Sequence, residues 1–393
     1  MQLWNTRTRS KDLFTAGPIV HLYVCGITPY ATTHLGHART YLVFDVLIRE
    51  IERLGHQVRY AQNVTDVDDP LFERSRQLGV PTARLAQEST RTFQDDLAAL
   101  RIRPPDYFPR ASDEIPAIQS LIATLLQSGH AYQRNNRVYY RTGSFPTYGA
   151  FSRLDRTQIM DLLRAHREDP SDALKEDPLD FVLWKPSQSG EAAWPSPWGI
   201  GRPGWHVECS AMALKYLGDE IDVHGGGSDL IFPHHEDEIA QSEAATGRRP
   251  FARFWVHVAM VRLGGIKMSK SLGNLILVQE LRSRFNPLAL RHYLLSTHYR
   301  AYVDYSEERL LASVERVRRL ERALAVTETS VDSAMLSAQA ARFDAALADD
   351  LDTPAALDAL DNAVERVLAA PTGSEKTTLL RQMAARLGLA EDR

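Results

Sequence analysis

Between residues 20 and 63 the chain reads as strand, loop, helix and strand, and this order restricts the fold more than any other feature. Val20 to Val24 is a short apolar run, a Gly/Thr/Pro turn and His34-Leu35-Gly36-His37 follow, and Tyr41 to Leu54 places apolar residues at helical spacing. Val58 to Asn63 (VRYAQN) reads as the next strand. A β-α-β opening implies parallel pairing, so the chain is expected to be an α/β protein with ligands bound beyond the C-terminal ends of its strands. After the second strand comes an acidic segment with Thr65, Asp66, Asp68 and Asp69.

Helical periodicity continues over Thr82 to Leu100 and Glu114 to Ser128, and Arg137 to Arg141 has strand character, so this middle part reads as an insertion between two halves of a sheet. Pro186 to Pro203 is rich in Pro, Gly, Ser and Trp; GWHVECSAMALKYLG then begins a helix, and Ile221 to Val223 is a brief strand. Beyond Tyr305, four segments with helical spacing predict a bundle, with about ten terminal residues outside its packing.

A chain of 393 residues is long enough for two or three domains, and 44% hydrophobic with 24% charged residues supports a sizeable core. Lys and Arg number 46 against 50 Asp and Glu, so the net charge of -4 supplies no global field toward nucleic acid and leaves only a local basic stripe for that role. No run approaches the ~20 apolar residues that span a bilayer, and the start MQLWNTRTRSKDLF lacks a secretory apolar stretch. A cytoplasmic monomer without a membrane partner is expected. Cys25 and Cys209 are the only cysteines; in a reducing compartment they read as two buried thiols or two metal ligands.

Two short motifs carry chemistry. His34-Leu35-Gly36-His37 stands at a strand-to-helix turn, where free N–H groups, the helix dipole and imidazole donors can hold a phosphate; histidines at such positions also cap or pack. Lys267-Met268-Ser269-Lys270-Ser271, flanked by glycines, can set two ammonium groups against a departing pyrophosphate, or can be a solvated loop.

Together the two motifs resemble the HIGH-type and KMSKS-type signatures of class I aminoacyl-tRNA synthetases, which bind ATP in a Rossmann-like parallel sheet. Within that class YVCGITPY, RYAQNVTDVDD, RPGWHVECSAM and DVHGGGSDLIFPHHEDEIAQSEA are similar to the cysteinyl-tRNA synthetase branch, including its mycothiol-pathway relatives that join cysteine to glucosaminyl-inositol. The resemblance implies a catalytic domain in two halves, 1–100 and 186–260, an inserted α/β region over 101–185, a junction carrying the second signature over 261–304 and a helical bundle over 305–393. No anticodon-binding domain is expected.

By the same resemblance Cys25, Cys209, His234 and Glu238 are ligands of Zn2+, the last two an i, i+4 pair that can share one helix face. L-cysteine would be bound by Cys25, Gly26, Thr28, Thr40, Asn63, Thr65, Trp205, Asp229 and His234, with Asp229 on its ammonium. ATP, accompanied by Mg2+, would be bound by His34, Gly36, His37, Gly225, Gly227, Val261, Lys267, Ser269 and Lys270, among which His34, His37, Lys267 and Lys270 are the catalytic groups. The acidic residues Asp66, Asp68 and Asp69 read as loop structure, since no complete octahedral ligand set accompanies them.

A zinc site suits selection of cysteine, because a thiol of pKa about 8.5 binds the ion as thiolate and a serine hydroxyl competes poorly. An apolar pocket separates near-isosteres by only about 1–3 kcal/mol. The acceptor is expected to be the amine of glucosaminyl-inositol: CGITPY, THLGHA, DDPLFERS, GGGSDLIF and GNLILV look closer to the mycothiol ligase, and the chain stops after the bundle. The alternative is tRNA(Cys), favoured by Glu238, EDEIAQSEA and MSKSLGN; a third reading is a noncatalytic nucleic-acid-binding regulator.

Overall fold

The computed structural model describes residues 1–30, 32–165, 169–268, 273–326, 328–329, 331, 333–370 and 375–391. A hairpin of β1 (Gln2–Asn5) and β2 (Ser10–Leu13) precedes the expected unit, which is β3 (Ile19–Ile27), α1 (Leu35–Arg53) and β4 (Gln57–Val64). Next come α2 (Asp69–Leu78), α3 (Thr82–Ala99) and α4 (Ile115–Gln127), then β5 (Ala131–Arg134), β6 (Arg137–Tyr140), α5 (Arg156–Ala165), β7 (Phe181–Lys185) and β8 (Arg202–Pro203). The chain returns through α6 (Trp205–Leu217), β9 (Ile221–Gly227), α7 (Glu236–Thr246) and β10 (Ala252–Val258).

β3 pairs in parallel with both β4 and β9, and β9 with β10, giving the order β10-β9-β3-β4. Strand order reverses at β3, so the crevice beyond the C-terminal ends of β3 and β9 is where a doubly wound sheet binds its ligand. Cys25 to Ile27 and Gly225 to Gly227 lie at those ends. α1 is buried on nearly every side because it lies between the sheet and the C-terminal helices. Leu42, Phe44 and Leu47 have no exposure, and each such side chain contributes about 1.5–3 kcal/mol.

β5 to β8 form a separate antiparallel sheet with the order β5-β6-β7-β8. Its last strand ends at Pro203, so the inserted part runs past 185 and takes in the Pro- and Trp-rich segment, where Trp198 packs edge-on against Trp184. The acidic segment after β4 also differs from a plain loop. Asp68 is the N-cap of α2 and Asp69 its first residue, pairing with Lys185 at 2.7 Å and with Arg202; Asp66 accepts from the Ser112 backbone N–H at 2.9 Å and hydroxyl at 2.6 Å.

After β10 a small sheet forms from β11 (Val261–Leu263), β12 (Ile266–Lys267) and β13 (Val303–Asp304), with α8 (Val278–Arg282) and α9 (Pro287–Leu295) between them. The bundle comprises α10 (Glu307–Ala325), α11 (Ser333–Ala348), α12 (Thr353–Ala369) and α13 (Thr378–Arg386). The terminal segment packs, contrary to expectation: Leu387 and Leu389 are buried, and the Leu387 carbonyl accepts from Arg291 Nε at 2.5 Å. Arg291, on α9, is fully buried and pairs with Asp45 of α1, which fixes the bundle to the sheet domain. Burial alone would raise the Asp45 carboxyl, but Arg291 and Arg49 outweigh it and hold it below its usual range. No helix among the described residues is long and apolar enough to cross a membrane.

Candidate active site

β3 does not run evenly beside β4. Val24 faces Gln62 and Ile27 faces Val64, so β3 has one residue too many and bulges at Cys25-Gly26. A bulge re-aims the side chains it carries, and here the Tyr41 hydroxyl of α1 holds the Cys25 carbonyl at 3.0 Å. Cys25 Sγ stands 4.0 Å from Cys209 Sγ of α6 and 3.3 Å from Glu238 Oε1 of α7. His234 Nε2, in the turn entering α7, lies 3.1 Å from the same Oε1. The four ligand atoms all fall within 4.8 Å of one another and all four residues are buried.

The separations of 3.1, 3.3 and 4.0 Å scatter around those of a tetrahedral donor set, since bonds of about 2.0–2.3 Å place neighbouring donors roughly 3.3–3.8 Å apart. At 4.0 Å the thiols are not a disulfide, and both are free. A second grouping, Cys25 with His224, His235 and Glu238, is equally compact. Hydrogen bonding separates the two. Glu238 turns Oε1 toward Cys25 and His234 and gives Oε2 to His224 Nε2 at 2.9 Å. His235 Nδ1 is engaged by His257 Nε2 at 2.8 Å, and His257 Nδ1 by the Thr6 hydroxyl at 2.7 Å. Two thiolates also suit zinc better than one. His235 Nε2 also lies 3.3 Å from Cys25 Sγ, so His224 and His235 brace Glu238 and Cys25, as residues around a metal's own ligands commonly do.

A similar chain supports His234 from behind. Its Nδ1 meets His206 Nδ1 at 2.9 Å, His206 Nε2 is 3.3 Å from Asp237 Oδ2, and the Trp205 ring stacks on His234 at 4.3 Å between centroids. Electrostatics follow this arrangement. Burial disfavours the Glu238 anion, but His224 and His234 outweigh it and hold its pKa well below the ordinary value. Burial likewise opposes charge on His234, yet Glu238 and Cys209 raise it to about 10. The Cys209 thiol, pushed up by burial, is brought down to about 6 by the hydrogen bond from Cys25 and by His234. Burial, then Cys209 and Glu238, push Cys25 up. Such a pocket stores negative charge that a cation would offset.

Around the cluster, Asn63 Oδ1 accepts the Gly26 N–H at 2.7 Å and its Nδ2 donates to Thr65 Oγ1 at 2.9 Å, so these three expected pocket residues are tied together. Thr28 Oγ1 donates to Asp68 at 3.3 Å. Thr40 instead donates to Gly36 O inside α1 at 3.1 Å. Asp229 sits in the short turn Ser228–Leu230 that follows β9. Gly225 was expected to admit a nucleotide; a Cβ there would fall 2.1 Å from Phe44 Cζ and 2.7 Å from Val256 O, so its missing side chain admits α1. Gly227 ends the same strand, at the mouth of the crevice.

The nucleotide signature departs from expectation in its amides. His34 caps α1, its Nδ1 accepting from Gly36 N at 3.1 Å and His37 N at 3.3 Å, and Leu35 N donates to Ile276 O at 3.0 Å. The first-turn N–H groups are thus consumed within the protein. An accepting Nδ1 places the proton of neutral His34 on Nε2, which makes that nitrogen a donor. The His34 and His37 rings stack at 3.8 Å. Val261 opens β11, and the Lys267 backbone closes the β11–β12 hairpin opposite Arg262. Ser269 and Lys270 lie outside the described residues.

No spacing rule links His206, His224, His235 and His257, which come from α6, β9, the turn before α7 and β10. GWH, DVH and HHEDE were visible as words, but only the parallel sheet brings them to one place.

Comparison with solved structures shows the fold, and the family model shows the class. The chain superposes on Mycobacterium tuberculosis methionyl-tRNA synthetase in complex with methionyl-adenylate with a TM-score of 0.67, over 95% of this chain and 89% of that one, at 18% identity, and so shares its fold. Residues 15–315 match the family model described as tRNA synthetases class I (C) catalytic domain, and the chain belongs to that family. A cysteine-tRNA ligase of Pseudomonas paraeruginosa is 42% identical over 399 residues, covering 100% of this chain and 85% of its own length. One from Legionella pneumophila is 44% identical over 92% of this chain and 79% of its own length.

These relatives overturn the preference for a glucosaminyl-inositol acceptor. The words taken as closer to the mycothiol ligase lie in a chain that aligns from end to end with a cysteine-tRNA ligase.

Proposed function

We propose that the protein is an ATP-dependent, AMP-forming ligase that activates L-cysteine and esterifies it to tRNA(Cys). The observation that carries this reading is the buried Cys25, Cys209, His234 and Glu238 cluster, set at the sheet crevice beside the HLGH helix in a chain 42% identical to a cysteine-tRNA ligase.

In the first step the cysteine carboxylate attacks the α-phosphorus of ATP, and the bond to the departing pyrophosphate breaks, leaving cysteinyl-adenylate. In the second, a ribose hydroxyl of the tRNA attacks the acyl carbon and AMP leaves. No protein nucleophile takes part, so the side chains act by positioning and charge. Cys25, Cys209, His234 and Glu238 would hold Zn2+, which when bound supplies a soft site for the substrate thiolate. Trp205 and Thr65 wall the pocket, Asp229 takes the ammonium, and Gly26 with Asn63 fixes the pocket floor. His34 Nε2–H and His37 serve the phosphates, with Lys267 and Lys270 set against pyrophosphate.

The test is acylation with ATP, labelled cysteine and a tRNA(Cys) transcript. A base-labile cysteinyl ester on the tRNA is expected; zinc-loaded protein that exchanges pyrophosphate with cysteine yet never acylates this tRNA would remove tRNA(Cys) as the acceptor.

A further inference from the structure

α1 carries an arginine that belongs to neither signature. Arg39 is fully buried, and among the described residues its hydrogen bonds all run to backbone carbonyls. Nη1 donates to Ala259 O at 2.7 Å; Nη2 donates to His298 O and Ala301 O, each at 2.8 Å, and reaches Thr297 O at 3.4 Å. A buried guanidinium without a carboxylate is costly, and burial brings this one down to about 10 despite Tyr293 nearby. Its rigid planar fork suits a fixed geometry that a flexible ammonium cannot hold.

The accepting carbonyls border the second signature. Ala259 follows β10 and stands two residues before β11, the strand that enters the signature hairpin. Residues 297–301 lead into β13, which pairs in parallel with β11. The two stretches are also joined to each other, Ala259 N to Tyr299 O at 2.8 Å and Tyr305 N to Arg262 O at 2.9 Å. Beyond the signature, the chain bonds back to the start of the same helix: Leu35 N to Ile276 O at 3.0 Å and Val278 N to Thr33 O at 2.9 Å, with His34 opposite Leu277. Both flanks of the segment are therefore attached to α1, the exit through backbone and the entry through one side chain.

We propose that Arg39 is a positioning residue that fixes β11, the entry to the second phosphate-binding signature, against the helix that presents His34 and His37. This rests on the reading of those signatures as the ATP site.

The test compares Arg39→Lys and Arg39→Gln with Arg291→Lys, a change at the other fully buried arginine, which touches neither signature. Each protein is measured for folded fraction, zinc content, cysteine affinity without ATP, affinity for a nonhydrolysable ATP analogue, and cysteine-dependent pyrophosphate exchange. Arg39→Lys is expected to keep zinc and cysteine affinity, to bind the ATP analogue about tenfold more weakly and to lose about 10²-fold in exchange kcat, the scale of a 1 Å misplacement. Arg291→Lys should lower Tm and leave KM for ATP unchanged. Where the lysine variant does not fold, the glutamine variant is read by the same criteria. Wild-type ATP affinity and exchange in either folded variant, or losses that track the folded fraction and cysteine affinity in parallel, would overturn the proposal. Absence of cysteine-dependent exchange in the wild type would sink the ligase reading instead, and the ATP-analogue titration would still decide the role of Arg39.

Discussion

Replacing Gly26 by alanine tests whether the bulge in β3 shapes the pocket. A Cβ at this position would lie 1.6 Å from Asn63 O and 2.5 Å from Asn63 C, both backbone atoms of the neighbouring strand. Ordinary contact begins near 3.4 Å, so β3 and β4 must part locally by about 1.8 Å, which exceeds what side-chain repacking absorbs. The same movement stretches the 2.7 Å bond from Gly26 N to Asn63 Oδ1 and carries Cys25 away from Cys209. Overpacking of this kind costs about 1–3 kcal/mol, and displacing one ligand weakens metal binding. Gly26→Ala should therefore lower Tm and bind zinc more weakly in a competition titration against a chromophoric chelator, with cysteine activation falling about 10²-fold. A variant with wild-type Tm and zinc affinity would refute the reasoning, because it would mean that the close approach of Gly26 to Asn63 does not place Cys25.

Three further outcomes are expected. Cys209→Ser replaces a soft ligand and should release most of the zinc on dialysis, as read by atomic absorption, while far-ultraviolet circular dichroism is retained; full zinc occupancy would contradict its role. Asp45→Asn removes the charge partner of fully buried Arg291 and should destabilise the fold by about 3–5 kcal/mol in urea unfolding, and a change under about 0.5 kcal/mol, the range of an ordinary surface substitution, would mean the pair does not join bundle to sheet. His292, buried between α9 and α10 beside Ser313, is lowered to about 4 by burial and by Arg316. Its folded pKa is depressed, so the stability it contributes is complete above about 6.5 and is lost as pH falls toward 4, by at most about 3 kcal/mol. His292→Gln should flatten that part of the stability profile, and an unchanged slope between pH 7 and 4.5 would count against it.

The elements that periodicity exposes are those buried on a regular stripe. β3, β4 and the body of α1 were legible because their apolar residues recur at strand or helix spacing, but α1 begins at Leu35, six residues before Tyr41, because His34 caps it. β9 extends through Gly225 to Gly227 although glycine disfavours strands, since pairing with β10 overrides propensity. Asp69, expected to be loop, instead opens α2, a helix that periodicity does not expose because its buried side is only Leu71, Phe72 and Ser75.

The candidate site divides in the same way. His234 and Glu238 could be paired from their i, i+4 spacing, which is local, and Cys25 and Cys209 from their number and the family resemblance. The histidines that brace them come from separate segments, and no spacing links them. Arg39 looks like a surface charge on a helix until the chain around 259 and 297–301 closes over it.

Whether the amino acid is chosen by its sulfur is answered most directly by cobalt substitution. With Co2+ in place of zinc, sulfur-to-cobalt charge-transfer absorption reports the number of thiolates on the metal. Cysteine added without ATP is expected to raise that absorption in the wild type and serine to leave it unchanged. Identical spectra with cysteine and serine, in protein that carries the metal at full occupancy, would contradict selection at the Cys25, Cys209, His234 and Glu238 cluster.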